Sequence, residues 1–191
     1  MSTSLSFITD RTAEDVSHAE RLAKIAYQNM TEAERSEWDS GMKGAYNAVD
    51  LNRVESAVSY LAYVLQELPD ELIEHAASKG VVWEDFYAAP YDARTISVET
   101  KTDWLVSDMP TPAEMERYLD NVAFLRSVLD YATDELPASM EGLTWDGANA
   151  IERALENLDA AIKACRTDKK KLIDNTAAAW IYSGEMFTGE V

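Results

Sequence analysis

Apolar residues recur at alternating steps of three and four in three stretches of the chain. From Asn47 to about Glu67 they are Leu51, Val54, Val58, Leu61, Leu65 and Leu68. From Thr111 to about Tyr131 they are Met115, Tyr118, Val122, Leu125 and Leu129. From Thr144 to about Cys165 they are Ala148, Ile151, Leu155, Leu158, Ile162 and Cys165. This spacing holds a narrow apolar seam on one side of an α-helix. Each stretch predicts a helix about 30 Å long, and three such seams can bury one another in a bundle. The fold class expected is therefore mainly α.

The helix starts carry their own signals. Thr111-Pro112-Ala113-Glu114 offers a capping threonine, a proline at the first helical position and a glutamate at the third. Asn47 with Asp50 is a similar arrangement, and Thr144 opens the last long helix. Thr12-Ala13-Glu14-Asp15 and Thr31-Glu32-Ala33-Glu34 predict two shorter N-terminal helices. The first of these places Val16, Ala19, Ala23, Ala26 and Met30 on one face, which predicts packing beside the bundle.

Two regions break the pattern. Pro69 to Pro110 reads as a mixed insertion, opening with a short helix at Asp70 to Lys79. Within it, Thr95-Ile96-Ser97-Val98-Glu99-Thr100 alternates and is β-branched, the signature of a short strand. The end of the chain, Trp180 to Val191, mixes aromatic and hydroxyl residues with glycines. Tyr182-Ser183-Gly184-Glu185 is echoed by Phe187-Thr188-Gly189-Glu190. These features predict a helical domain over 1–176 and an extended tail over 177–191 that pairs with residues 95–100 or with another chain's sheet edge.

Two of the long segments resemble each other. Asn52, Val54, Glu55, Ala57 and Val58 match Asn149, Ile151, Glu152, Ala154 and Leu155 at one constant separation. Two readings are open: an internal duplication, or the general likeness of capped amphipathic helices.

Charge narrows the functional classes. The 191 residues carry 17 Lys and Arg against 35 Asp and Glu, a formal net charge of −18. Such a field repels nucleic-acid phosphates and anionic membranes, so neither is an expected partner. The single cysteine, Cys165, allows no internal disulfide, and its seam position reads as a small buried apolar residue. No apolar run has the roughly 20 residues that a membrane span needs, and the first residues lack the features of a secretion signal. Folding in a cytoplasm is expected.

Chemistry-bearing patterns are sparse. His18 and His75, the two histidines, sit in polar helical stretches and read as solvated. No Cys or His pair has metal-ligand spacing. Asp50-Leu51-Asn52 lacks the glycine and the closing glutamate of a calcium loop, and Gly41 and Gly44 follow no strand that would make a phosphate loop. Pairs of carboxylates are too numerous to single one out for glycoside hydrolysis. Catalytic residues, cofactors and metals are thus expected to be none. The basic cluster Arg166, Lys169, Lys170 and Lys171 reads as a helix C-terminus. Trp38, Trp83, Trp104, Trp145 and Trp180 fall near predicted element ends, where tryptophan plugs a core or anchors an interface. The residues singled out for interaction are Trp180, Tyr182, Gly184, Glu185, Phe187, Gly189 and Glu190.

Several blocks also resemble prophage-encoded proteins of Firmicutes. They are Ser40-Gly41-Met42-Lys43-Gly44-Ala45-Tyr46-Asn47 with Asp50-Leu51-Asn52-Arg53-Val54-Glu55, Lys101-Thr102-Asp103-Trp104 with Pro110-Thr111-Pro112, Leu143-Thr144-Trp145 with Ala148-Asn149-Ile151-Glu152, and the Tyr182–Glu185 type of tail. The set runs from about residue 8 to the end, with Val81 to Arg94 departing from it. The resemblance implies a tail- or baseplate-associated structural protein of a phage or phage-like particle. It would be located in the virion, partnered by other tail or baseplate proteins and by copies of itself, and it brings no catalytic residues. The rival expectation is an acidic module that mimics nucleic acid and occupies a basic site on a host protein.

Overall fold

The computed structural model describes residues 5–82, 91–129 and 135–185. It holds five α-helices among the described residues: α1 (Ala13–Ala23), α2 (Glu32–Ser40), α3 (Ala48–Ser78), α4 (Pro112–Val128) and α5 (Trp145–Glu185). Single 3-10 turns lie at Tyr27–Asn29 and Ala93–Thr95. The three long helices pack on one another, α3 against α5 and α4 against both. Their seams form the core as the spacing predicts, with Val54, Leu61, Leu65, Leu68, Val122, Leu125, Ile151 and Leu158 all fully buried. Fully burying one such side chain is worth roughly 1.5–3 kcal/mol.

The starts follow the capping signals. Thr12, Thr31, Asn47 and Thr111 each close a capping box, with Asp15, Glu34, Asp50 and Glu114 returning the contact. Thr144 Oγ1 accepts from the Gly147 amide at the head of α5 (3.1 Å). Each pair satisfies helix-start N–H groups that the helix itself cannot.

The ends depart from expectation. α3 passes through Pro69 and runs to Ser78, so residues 69–78 belong to the helix and not to an insertion. Proline lacks the N–H that would bond to the carbonyl four residues back. That carbonyl, Leu65 O, instead accepts from the Tyr91 hydroxyl (2.9 Å). α5 likewise continues to Glu185, so residues 177–185 are helical and not extended. The lysines and alanines between 168 and 179 are good helix formers. They carry the helix on to Gly184, whose cost of about 1 kcal/mol falls at the last turn. The basic cluster therefore lies inside a helix. Arg166 and Lys170 reach across to Glu71 of α3 (3.0 and 2.7 Å).

No strand forms at 95–100. Ile96 is buried and Val98 half-buried, so the alternation is real. The backbone, however, is taken by side chains. Gln66 donates to Ile96 O, and Asn121 and Arg117 donate to Glu99 O. These bonds satisfy the polar groups that a strand partner would otherwise take. Of the tail expected to pair with it, the part up to Glu185 is helical and residues 186–191 lie outside the described residues.

A second, smaller core joins α1 to the loop before α3, through Ala19, Leu22, Met30 and Met42. Ala19 and Met30 keep their expected places, but Leu22 replaces the exposed Ala23 and Ala26. The loop comes close to α1 at Gly44, where a Cβ would sit 2.0 Å from Asp15 O. Only glycine allows that approach.

Candidate functional site

Among the described residues, the buried polar and charged side chains are Arg11, Asp50, Glu55, Asn121, Asn149 and Glu152. They are not scattered. They build two docks, each fastening a segment without regular secondary structure to a long helix. We call residues 5–11 the first arm and residues 98–104 the second.

The first arm lies on α5. Asn149 grips the Arg11 backbone from both sides: its Oδ1 accepts from Arg11 N (3.0 Å) and its Nδ2 donates to Arg11 O (2.9 Å). One helical turn on, Glu152 Oε2 accepts from Ile8 N (2.7 Å). The second arm lies on α3 in the same way. Asn52 Oδ1 accepts from Trp104 N (2.8 Å), Asn52 Nδ2 donates to Trp104 O (2.9 Å), and Glu55 Oε2 accepts from Lys101 N (3.0 Å). In both docks an Asn-x-x-Glu pair on a helix reads three backbone groups across one arm.

Each glutamate is then held by an arginine fork. Arg53 Nε and Nη2 meet Glu152 Oε2 and Oε1 (3.0 and 2.7 Å). Arg117 Nη1 and Nη2 meet Glu55 Oε2 and Oε1 (3.2 and 2.8 Å). A bidentate pair of this kind is shorter and stronger than a neutral hydrogen bond.

The centres of the docks differ. In the first, the Arg11 side chain enters the interior. Its Nη2 contacts both Asp50 Oδ1 (2.8 Å) and Glu152 Oε1 (2.7 Å). Its Nη1 and Nε donate to Ile8 O and Lys43 O, and its guanidinium lies 5.3 Å from the Tyr46 ring centroid. Arg53 also bonds Asp50, which makes a square of two arginines and two acids, buried except for Arg53 at 17% exposure. Burial alone would lower the Arg53 pKa, but the bonds and attraction of Glu152 and Asp50 raise it, so the guanidinium stays charged. In the second dock, Trp104 stands where Arg11 stands in the first. It is buried, its Nε1 has no hydrogen-bond partner, and Lys101 Nζ lies 3.8 Å from its ring centroid.

Next to the first dock, Tyr46 and Tyr118 share a hydrogen bond between their hydroxyls. Burial pushes both pKa values up, so neither phenol ionises near neutral pH. Glu152 accepts four hydrogen bonds from three partners. A carboxylate so occupied orders the chain around it and offers little to a substrate. Among the described residues, no group of three or more His, Cys, Asp or Glu could hold a metal ion. No described helix is long and apolar enough to cross a membrane.

The residues singled out from the sequence lie elsewhere. Trp180, Tyr182, Gly184 and Glu185 fall in the last turns of α5, with their side chains outside the described set. Phe187, Gly189 and Glu190 lie outside the described residues. Trp38 and Trp145 are partly exposed and Trp104 is buried. Cys165 is half-buried against the core, and burial raises its thiol pKa. His18 pairs with Glu37, and His75 with Asp174. Sequence reasoning matched Asn52 and Glu55 with Asn149 and Glu152 but gave them no role. The missed signal is a second match: Ile8-Thr9-Asp10-Arg11 and Lys101-Thr102-Asp103-Trp104 share Thr-Asp at their centres. Comparison with protein families, with curated proteins and with solved structures yields no match for the chain.

Proposed function

We propose that the protein is a non-enzymatic structural or assembly component of a phage or phage-like tail or baseplate, working through protein–protein contacts. The observation that carries this reading is the division of labour between interior and surface. The buried polar groups fasten arms to helices. Apolar side chains, meanwhile, stand in solvent on the loop between the second arm and α4: Leu105 is 63% exposed, Val106 93% and Met109 89%. Asp108 shapes that loop by accepting from Leu105 N and from Lys101 Nζ. Clustered apolar residues displayed on an ordered turn suit a partner surface. The resemblance of several blocks to prophage-encoded proteins suggests the class of partner, and the end of the chain from residue 180, singled out from the sequence, is the second candidate contact.

The test is made on particles. Prophage induction in a strain carrying the gene, followed by density-gradient purification and mass spectrometry, should find the chain with tail or baseplate proteins. Val106→Asp with Met109→Asp should leave the thermal midpoint within about 2 °C, as surface changes generally do, while removing the chain from the particles. A chain absent from purified particles overturns the reading.

A further inference from the structure

The two arms cross over. The first arm (5–11) precedes α1, α2 and α3 but docks on α5. The second arm (98–104) precedes α4 and α5 but docks on α3. Each set of helices thus receives the arm of the other. The matches extend beyond the docks. The caps Asn47 and Thr144 correspond, as do the buried series Leu51, Val54, Val58, Leu61, Leu65 and Ala148, Ile151, Leu155, Leu158, Ile162. Leu5 and Val98 take the same place in their arms, and both pack on the main core. Reciprocal exchange of one element between two like units is the topology of a swapped dimer.

We propose that the chain is two copies of one arm-and-helix unit joined in a single polypeptide, and that the dock is a self-recognition element: the arm of one copy of this protein fits the α5 cradle of a second copy. The chemistry supports exchange. Asn149 and Glu152 bind N–H and C=O groups of the arm, which every residue but proline offers. The matching cradle on α3 takes Lys101 and Trp104 at the positions filled by Ile8 and Arg11, so the cradle accepts different side chains at both ends. The contact between one unit's arm and another unit's helix is already present twice in the molecule. A second copy supplies the same partner surfaces. The covalent connection sets the balance: the arm runs directly into α1, which packs beside the loop before α3, so the chain's own arm is held near its cradle and wins at ordinary concentrations. Exchange becomes visible when the internal pairing is broken. The inference rests on the docks alone and requires no particle.

The test uses two full-length variants. One has a damaged arm, Ile8→Pro with Arg11→Ala. The other has a damaged cradle, Asn149→Ala with Glu152→Gln. Each alone should run at the mass of one chain. Mixed, they should give a species of twice that mass containing one of each, read by native mass spectrometry. The intact arm of the second then fills the intact cradle of the first. Only single chains in the mixture would overturn the proposal. Should either variant unfold, a labelled peptide of residues 5–12 is titrated into the full-length Arg11→Ala protein, whose own arm is weakened. It should bind at least about tenfold more tightly there than to Arg11→Ala with Glu152→Gln, a buried charged contact being worth that factor or more. Equal affinities, or no binding to either, would overturn it as well.

Discussion

The dock of the first arm and the dock of the second use the same frame around different centres. In both, an asparagine and a glutamate one turn apart hold an arm by its backbone, and an arginine fork closes on the glutamate. At the centre of the first is Arg11, between Asp50 and Glu152. At the centre of the second is Trp104, an aromatic ring under the Lys101 ammonium. The comparison separates two jobs. The frame fixes where the chain runs, because backbone groups have fixed spacing. The centre fixes how the interior tolerates the frame's charge. The first dock balances two buried acids with the buried Arg11 and with Arg53, which is 17% exposed. The second has one arginine, Arg117, which like Arg53 keeps some contact with solvent, at 22% exposure, and it has no charged counterpart of Arg11.

That difference sets the largest expected effect. Glu152→Ala should leave the buried Arg11 and the part-exposed Arg53 sharing Asp50 alone and should orphan the Ile8 amide, at a cost of roughly 3–5 kcal/mol. Glu55→Ala frees Arg117, which can turn to water, and should cost less, roughly 1–3 kcal/mol. Denaturant unfolding of the two variants gives both numbers, and equal losses would show that the centres do not matter.

The frame predicts near-equality where the centre predicts difference. Asn149→Ala and Asn52→Ala each remove the same two backbone bonds. Both should lose roughly 1–3 kcal/mol, with Asn149→Ala at the upper end because its pair of bonds is buried and that of Asn52 is part-buried. A gap of more than about 1 kcal/mol in the same unfolding experiment would break the equivalence of the docks. The caps carry the comparison to the helix starts. Asn47→Ala and Thr144→Ala should each cost about 1 kcal/mol, read as a fall in thermal midpoint of a few degrees.

The smallest effect is acid sensitivity shared by both halves. Asp15 and Glu114 occupy the same capping-box position on α1 and α4. Burial works against Asp15, but the Thr12 backbone and side chain bond its carboxylate and lower its pKa. The Thr111 backbone and side chain lower that of Glu114. A folded-state pKa below the unfolded value adds stability above the unfolded value, about 4 for a carboxylate, and loses it as pH falls through the folded value. Stability should therefore decline below about pH 4. Asp15→Asn and Glu114→Gln should each flatten that decline in a pH series of thermal midpoints, and an unchanged slope would remove the capping acids from the account.

Much of this architecture is legible in the sequence, for physical reasons that also mark where legibility stops. The seams are readable because burial tracks a local period: Leu51 through Leu68 is one stripe, and the structure buries all of it. The caps are readable because Thr, Asn and their acidic partners act within four residues. The ends of α3 and α5 are not. Pro69 reads as a stop, but Tyr91, distant in sequence, occupies the carbonyl that the proline leaves free. Residues 95–100 read as a strand because their alternation is real, while the side chains that take their backbone come from α3 and α4. The docks hide for the same reason. Glu55 and Glu152 look like helix-surface acids until Arg117 and Arg53 are placed beside them. Only the paired spacing of Asn and Glu in two helices, and of Thr-Asp in two arms, carries the docks in one dimension.

Amide hydrogen exchange, resolved by residue, tests the crossed pairing most directly. The amides of Ile8 and Arg11 should be protected in the wild-type chain, along with those of Lys101 and Trp104. Glu152→Gln should release Ile8, at the far end of the chain, and leave Lys101 protected; Glu55→Gln should do the reverse. Free exchange of Ile8 in the wild-type protein, or release of both arms by either substitution, would contradict the account of two separate, crossed docks.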